Sequence, residues 1–82
     1  MERETIIEKL TGIFRQVFMD ETLVLNDSMS ANDVDRWDSL THMLMVTAVE
    51  KEFNIKFKLK DLNKMKNVGD LITTIQTKLA EQ

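Results

Sequence analysis

The sequence predicts a small all-α protein, a four-helix bundle of three longer helices and one short helix, with a long loop between helices 1 and 2. Apolar residues recur at steps of three and four in three segments, at 2–19, 39–53 and 68–80, which is the spacing of one helix face. The chain contains no proline, and its one strand-like segment has no second strand to pair with. Its 82 residues are expected to form a single domain over 1–82.

The first predicted helix, residues 2–19, carries its apolar side chains as one stripe. From Asp20 to Asp38 the periodicity ends and Asn, Asp and Ser accumulate, so we expect a long loop that the apolar residues 23–25 anchor. A long loop in a small domain is usually functional. The stripe of the first helix consists of Ile6, Ile7, Leu10, Ile13, Phe14, Val17 and Phe18.

The second predicted helix, residues 39–53, begins beside a side chain suited to cap it. Either Asp38 or Ser39 can accept a hydrogen bond from the free backbone N–H groups of the first turn. Ser39 is therefore expected at the tip of this helix. The residues expected on its core face are Leu40, Met43, Val46, Val49 and Phe53.

The last third of the chain predicts a connection and two further helices. The segment "IKFKLK", residues 55–60, alternates like a strand, but an unpaired strand is unstable, so we expect an extended connection into a short helix near 59–64. Asn67 followed by Asp70 is typical of a helix start. The last helix then covers 68–80, with these residues on its inner face: Val68, Leu71, Ile75 and Leu79.

Charge is unevenly distributed along the chain. The net charge is -3, but residues 20–54 hold eight acidic side chains against two basic ones, while residues 55–82 hold six lysines against three acids. The acidic part contains Ser39 and would repel a phosphate backbone, so nucleic-acid binding is not expected. The lysine-rich segment 56–66 is most simply a solvated face.

Composition also predicts where the protein acts. The chain has no cysteine, which excludes disulfides and thiolate zinc sites and fits the cytoplasm. No apolar run approaches the roughly 18 residues that span a bilayer, and the N-terminus lacks the layout of a signal peptide. We therefore expect no membrane insertion.

Ser39, within "WDSLTH" at 37–42, admits three interpretations. It can cap the helix, or pair with His42 as a nucleophile, or serve as an exposed attachment point beside the unpaired N–H groups of the helix start. The nucleophile interpretation is the least favoured. A hydrolase elbow needs flanking glycines, and the only glycines are Gly12 and Gly69.

"DSL" at 38–40 opens the second helix of an acidic bundle of this length, after a long loop and before the helix end "EKEF" at 50–53. In this order the chain resembles the acyl carrier protein family over essentially its whole length. The resemblance implies that Ser39 carries 4'-phosphopantetheine, which a separate phosphopantetheinyl transferase moves from coenzyme A using magnesium. The cofactor thiol would hold the acyl group, so the protein itself would need no cysteine and would not be an enzyme. The resemblance also assigns Asp38 to transferase docking and Leu40 to packing at the helix start.

The family resemblance further implies a set of partners. They are an acyl- or aminoacyl-loading ligase and acyltransferase or synthase enzymes, which a monomeric carrier would visit. Glu50 and Glu52 match the acidic cluster that such partners contact, although Lys51 interrupts it. Housekeeping fatty-acid carriers usually place acids where this chain has Thr41 and Leu44.

These departures point to a specialised carrier. Thr41, Leu44, Glu50 and Glu52 are predicted partner-binding residues, and so is Trp37, which can alternatively be an aromatic that packs the loop. "WDSLTH" resembles dedicated carriers of bacterial secondary-metabolite or surface-polysaccharide pathways. We therefore expect a dedicated lipid, polyketide or polysaccharide-modification pathway.

Two alternative functions stay open at the level of sequence. A stand-alone aminoacyl or peptidyl carrier would use the same fold and cofactor, although peptidyl carriers usually have a pair of glycines before the serine, where this chain has Trp37 and Asp38. A helical interaction module would have no prosthetic group at all.

Overall fold

Four α-helices form the computed structural model, which describes residues 2–30, 33 and 37–81. No strand occurs within those ranges, so the predicted all-α fold class is confirmed, and every helix boundary lies within two residues of its prediction. None of the helices in this part of the chain is both long and apolar enough to cross a lipid bilayer. The helices are α1 (Arg3–Val17), α2 (Ser39–Phe53), α3 (Leu59–Lys64) and α4 (Val68–Ala80).

α1 packs against both α2 and α4, and the three helices enclose an apolar core. Among the described residues no polar or charged side chain is buried, so apolar packing alone fills the interior. The fully buried side chains are Ile6, Leu10, Phe14, Phe18, Met45, Val49, Val68, Leu71, Ile72 and Ile75.

The prediction that Leu40 and Met43 face the core is wrong, since they are 70% and 51% exposed. Met45 is buried in their place. Three of the buried side chains of α2 are spaced four residues apart, namely Met45, Val49 and Phe53. The next position toward the start of the helix with this spacing is Thr41, which is half-buried. The core face of α2 therefore includes Thr41 and excludes Leu40 and Met43.

The first part of the interhelical loop is fixed against the start of α4. The backbone N–H groups of Val68 and Gly69 donate to the carbonyl oxygens of Met29 and Asp27, both at 2.9 Å. A Cβ on Gly69 would lie 3.0 Å from the Asp27 carbonyl oxygen, so any side chain there would push this part of the loop away by a few tenths of an ångström. Arg3 also binds the Asp27 carboxylate through two hydrogen bonds of 2.7 and 2.6 Å.

The expected apolar anchor of that loop is confirmed in part. Leu23 and Leu25 are half-buried against the core, whereas Val24 between them is 70% exposed. Residues 31, 32 and 34–36, which the predicted loop also includes, lie outside the described residues.

α3 contains no fully buried residue, but Leu62 packs half-buried against the core and an ion pair joins the helix to α4. The ammonium group of Lys78 lies 2.8 Å from the Asp61 carboxylate, and the two side chains are only 14% and 13% exposed. Asp61 also accepts a hydrogen bond of 2.8 Å from the backbone N–H of Lys58. Lys78, together with that N–H, lowers the pKa of Asp61, and Asp61 in turn raises the pKa of Lys78.

Candidate functional site

The start of α2 is fixed by a reciprocal cap between Asp38 and Thr41. The backbone N–H of Thr41 donates to the Asp38 carboxylate at 3.0 Å, and the backbone N–H of Asp38 donates to the Thr41 hydroxyl at 2.8 Å. The hydrogen bond from the Thr41 backbone N–H is the main cause that lowers the pKa of the Asp38 carboxyl group, and the hydrogen bond from the Thr41 hydroxyl also lowers it. Asp38 is therefore the N-cap, and the choice between Asp38 and Ser39 that the sequence left open is decided.

Ser39 is the first residue of α2 and is exposed. Because Asp38 supplies the cap, the Ser39 hydroxyl is not needed for it. Within the part of the chain that the structure describes, that hydroxyl has no intramolecular hydrogen bond, including none to His42. The geometry thus supports an accessible hydroxyl and lacks the serine–histidine contact that a nucleophile would use.

A groove of about 540 Å³ opens beside Ser39. It lies between the start of α2 and the segment that joins α3 to α4, and its size is that of sites that take small molecules. Met65 and Lys66 were not among the predicted site residues, because no local pattern marks them and only the fold brings them to Ser39. The lining residues are Trp37, Asp38, Ser39, His42, Met43, Met65 and Lys66.

Trp37 joins this groove to the core. Its half-buried ring packs on Phe14 and Phe18, with centroid distances of 5.5 Å in both cases. Its Nε1–H donates to Nδ1 of His42 at 3.1 Å, and burial lowers the pKa of His42. These contacts agree with the alternative in which Trp37 is an aromatic residue that packs the loop. The role of Trp37 in partner binding stays a prediction.

The predicted partner-binding residues do not share one surface. Leu44 is 52% exposed on α2, whereas Thr41 is half-buried and engaged in the cap. The Glu50 carboxylate accepts a hydrogen bond of 2.8 Å from the backbone N–H of Phe57. The Glu52 carboxylate lies 3.6 Å from the ammonium group of Lys9 on α1. Residues two apart on a helix point in different directions, so Glu50 and Glu52 do not form one acidic cluster.

Leu40 was predicted to pack at the start of α2, and this prediction is wrong because 70% of its surface is exposed. Its side chain lies one turn before Leu44 on the same face of the helix. Leu40 and Leu44 together thus place an exposed apolar strip next to Ser39.

Comparisons with known proteins agree with this geometry. The family described as "Phosphopantetheine attachment site" matches residues 8–75. The acyl carrier protein of Thermotoga maritima is 33% identical over 94% of this chain and 95% of its own length. That of Cyanidium caldarium is 35% identical over 94% of this chain and 90% of its own length. The chain belongs to the acyl carrier protein family. The solution NMR structure of holo acyl carrier protein from Geobacter metallireducens matches with a TM-score of 0.87 and 51% identity, over 92% of this chain and 86% of that one.

As an acyl carrier protein, the chain is a carrier and not a catalyst, and its prosthetic group is phosphopantetheine. The residues present fit that group, because an exposed serine hydroxyl without an internal partner adjoins a groove with apolar walls. When bound, the group supplies a terminal thiol that can hold an acyl chain as a thioester. The protein's own contribution is to position the hydroxyl and the groove.

Proposed function

We propose that this acyl carrier protein holds acyl intermediates as thioesters on a 4'-phosphopantetheine arm attached to Oγ of Ser39. It presents them to partner enzymes of a dedicated lipid, polyketide or polysaccharide-modification pathway. The observation that carries the assignment is the exposed hydroxyl that the Asp38–Thr41 cap leaves without an internal partner, beside a groove of about 540 Å³. We further propose that it acts as a monomer in the cytoplasm, since a chain without cysteine needs no oxidising compartment to fold.

The other two serines are poorer candidates for attachment. The Ser28 hydroxyl donates to the Asn26 side chain at 2.9 Å, and both Ser28 and Ser30 belong to the loop and not to a helix start. Ser28→Ala is therefore a matched control for Ser39→Ala.

Intact-mass measurement after coexpression with a broad-specificity phosphopantetheinyl transferase tests the attachment site. The unmutated chain and Ser28→Ala should each gain one phosphopantetheine mass, and Ser39→Ala should gain none while keeping its helical circular dichroism spectrum. A Ser39→Ala protein that still gained the mass would refute the assignment.

The partner proposal rests on the exposed face of α2. Between Asp38 and Glu50 the sequence contains no acid, and Leu40 and Leu44 are exposed one turn apart. The surface near Ser39 carries little negative charge to attract a basic patch on an enzyme. The rate at which this carrier and such an enzyme meet is therefore expected to be low. An apolar partner contact would instead bury the remaining half of Leu44, a gain of roughly 1 kcal/mol. The proposed partners are the transferase, an acyl- or aminoacyl-loading ligase, and acyltransferase or synthase enzymes that make such a contact.

Turnover with standard fatty-acid elongation enzymes tests this partner preference. The loaded carrier should be a poor substrate, and Leu44→Glu should improve it, because this change adds negative charge to the exposed face of α2 near Ser39 without disturbing the Asp38–Thr41 cap. Leu59→Glu is the matched control, since Leu59 is 76% exposed but lies on α3. The partner proposal fails if the unmutated carrier already matches a housekeeping one, or if Leu44→Glu gains no more than Leu59→Glu does.

A further inference from the structure

Five exposed lysines lie on the side of the protein that α3 forms with the ends of α2 and α4. They line two depressions that share Lys78 and Glu81, so the two form one continuous surface. None of the five ammonium groups forms an ion pair with a described residue. We term this region the lysine surface, after Lys51, Lys56, Lys58, Lys60 and Lys64.

The acids of the lysine surface balance its positive charge only in part. Asp61 is neutralised by Lys78, 2.8 Å away. The other two acids are Glu50, which accepts the backbone N–H of Phe57, and Glu81. With Lys78 included, six lysines thus face three acids, a net charge of +3 in a chain whose total is -3.

The composition of the lysine surface differs from that of a protein interface. Protein interfaces are depleted in lysine, enriched in arginine and aromatic residues, and apolar at their centre. The described residues that line the two depressions include neither an arginine nor an aromatic residue. The only large apolar side chain exposed on α3 is Leu59, between Lys58 and Lys60 in the chain. One leucine is too little for the apolar centre of a protein interface.

An anionic lipid bilayer matches the lysine surface better. Clusters of four to eight basic residues are typical of proteins that contact anionic lipids, and flexible lysine side chains need no precise shape match there. The negative charge elsewhere on the protein does not cancel the attraction. The molecule measures 33 × 25 × 22 Å, whereas charges are screened beyond about 8 Å at physiological ionic strength. Acids on the far side therefore stay outside the reach of the bilayer.

We infer that the lysine surface docks on an anionic lipid bilayer, with its ammonium groups at the level of the phosphate head groups. The contact is peripheral and electrostatic. Each lysine within reach of such a bilayer strengthens binding about fivefold. Ser39 lines neither depression, so the docked protein keeps the proposed attachment point uncovered, and the inference does not depend on that attachment.

Sedimentation of the complete chain with large unilamellar vesicles tests the docking. One set of vesicles is pure phosphatidylcholine, and the other contains equal parts of phosphatidylcholine and phosphatidylglycerol. At low ionic strength the protein should sediment with the mixed vesicles and not with the neutral ones. Salt at about 1 M should release it, because charges are then screened beyond about 3 Å. Ser39→Ala should bind like the unmutated chain.

Two variants of equal net charge separate the lysine surface from the charge of the whole protein. Lys60→Gln with Lys64→Gln removes two charges one turn apart on α3, and should weaken binding to the mixed vesicles roughly twentyfold. Lys9→Glu changes the net charge by the same amount on α1, outside the two depressions, and should change binding little. Circular dichroism first establishes that both variants are folded.

Three results would overturn the inference. The first is a lack of binding to the mixed vesicles, which would leave an acidic protein as the partner of this surface. The second is an equal loss of binding in Lys9→Glu and in the α3 double variant, which would assign the attraction to net charge alone. The third is equally tight binding to a DNA duplex at the same ionic strength, which would show attraction to any polyanion.

Discussion

Nε1 of Trp37 donates a hydrogen bond to Nδ1 of His42 across 3.1 Å, and the two rings stack with centroids 6.2 Å apart. The same indole packs on Phe14 in α1 and on Phe18 just after it. One aromatic side chain therefore connects the core to the first turn of α2. Since Ser39 lies three residues before His42, this contact helps to fix where the Ser39 hydroxyl stands.

The stability of the protein should fall as His42 becomes protonated. Burial lowers the pKa of His42 below its ordinary 6.5, so the unfolded chain binds the proton more readily than the folded one. The stabilising contribution of neutral His42 is complete above pH 6.5 and is lost as the pH falls through the lower pKa of the folded state. Urea unfolding from about pH 7.5 to about pH 5.5 should show a declining free energy of unfolding.

His42→Gln provides the control for that decline. Glutamine keeps an acceptor near Trp37 but does not titrate, and His42 is the only histidine in the chain. The variant should show a flatter pH dependence over the same interval. An equally steep decline in His42→Gln would assign the effect to other groups.

The two glycines should respond in opposite ways to alanine. Gly12 lies within α1 with no atom near the position of an added Cβ, so Gly12→Ala should stabilise the protein by about 1 kcal/mol. At Gly69 the added methyl group would meet the Asp27 carbonyl oxygen at 3.0 Å and disturb the hydrogen bond between the same two residues. Gly69→Ala should therefore destabilise the protein, by about 1 kcal/mol. Thermal melting of both variants checks this, and a rise in Tm for Gly69→Ala would show that the loop moves freely away from α4.

Asp61→Asn should destabilise the protein at neutral pH by weakening the attachment of α3 to α4. Because Lys78 lowers the pKa of Asp61 below its ordinary 3.8, the ionised carboxylate stabilises the fold above that pH, and this contribution disappears as the pH falls through the lower pKa of the folded state. The difference in Tm between Asp61→Asn and the unmutated chain should accordingly shrink in acid.

Glu52→Gln is the matched control for the Asp61 prediction. The pair of Glu52 with Lys9 is longer, at 3.6 Å, and its side chains are 47% and 38% exposed, so solvent screens it and little change is expected. Equal effects of the two substitutions would contradict the role assigned to the Asp61–Lys78 pair.

Local signals predicted most of the fold. The helix bounds follow from apolar periodicity and from the caps Asp38 and Asn67, whose side chains accept backbone N–H groups three residues on. The rotation of α2 could not be predicted this way. It depends on which side of α2 meets α1, a long-range contact, and so Leu40 and Met43 were assigned to the wrong face.

The candidate site was predictable only in part. Ser39 and Asp38 could be found because three consecutive residues at a helix start carry the motif. Met65 and Lys66 could not, because they follow Ser39 by 26 and 27 positions and reach the groove only through the packing of the bundle.

Transfer of an acylated arm tests the central claim most directly. The protein is incubated with butyryl-coenzyme A and a broad-specificity phosphopantetheinyl transferase, and its intact mass is measured before and after neutral hydroxylamine. The unmutated chain should gain one butyryl-phosphopantetheine mass and then lose only the butyryl part, as a thioester on an arm attached at Ser39 requires, while Ser39→Ala should gain nothing. No mass gain by the unmutated chain, a butyryl group that resists hydroxylamine, or loading of Ser39→Ala would contradict the assignment.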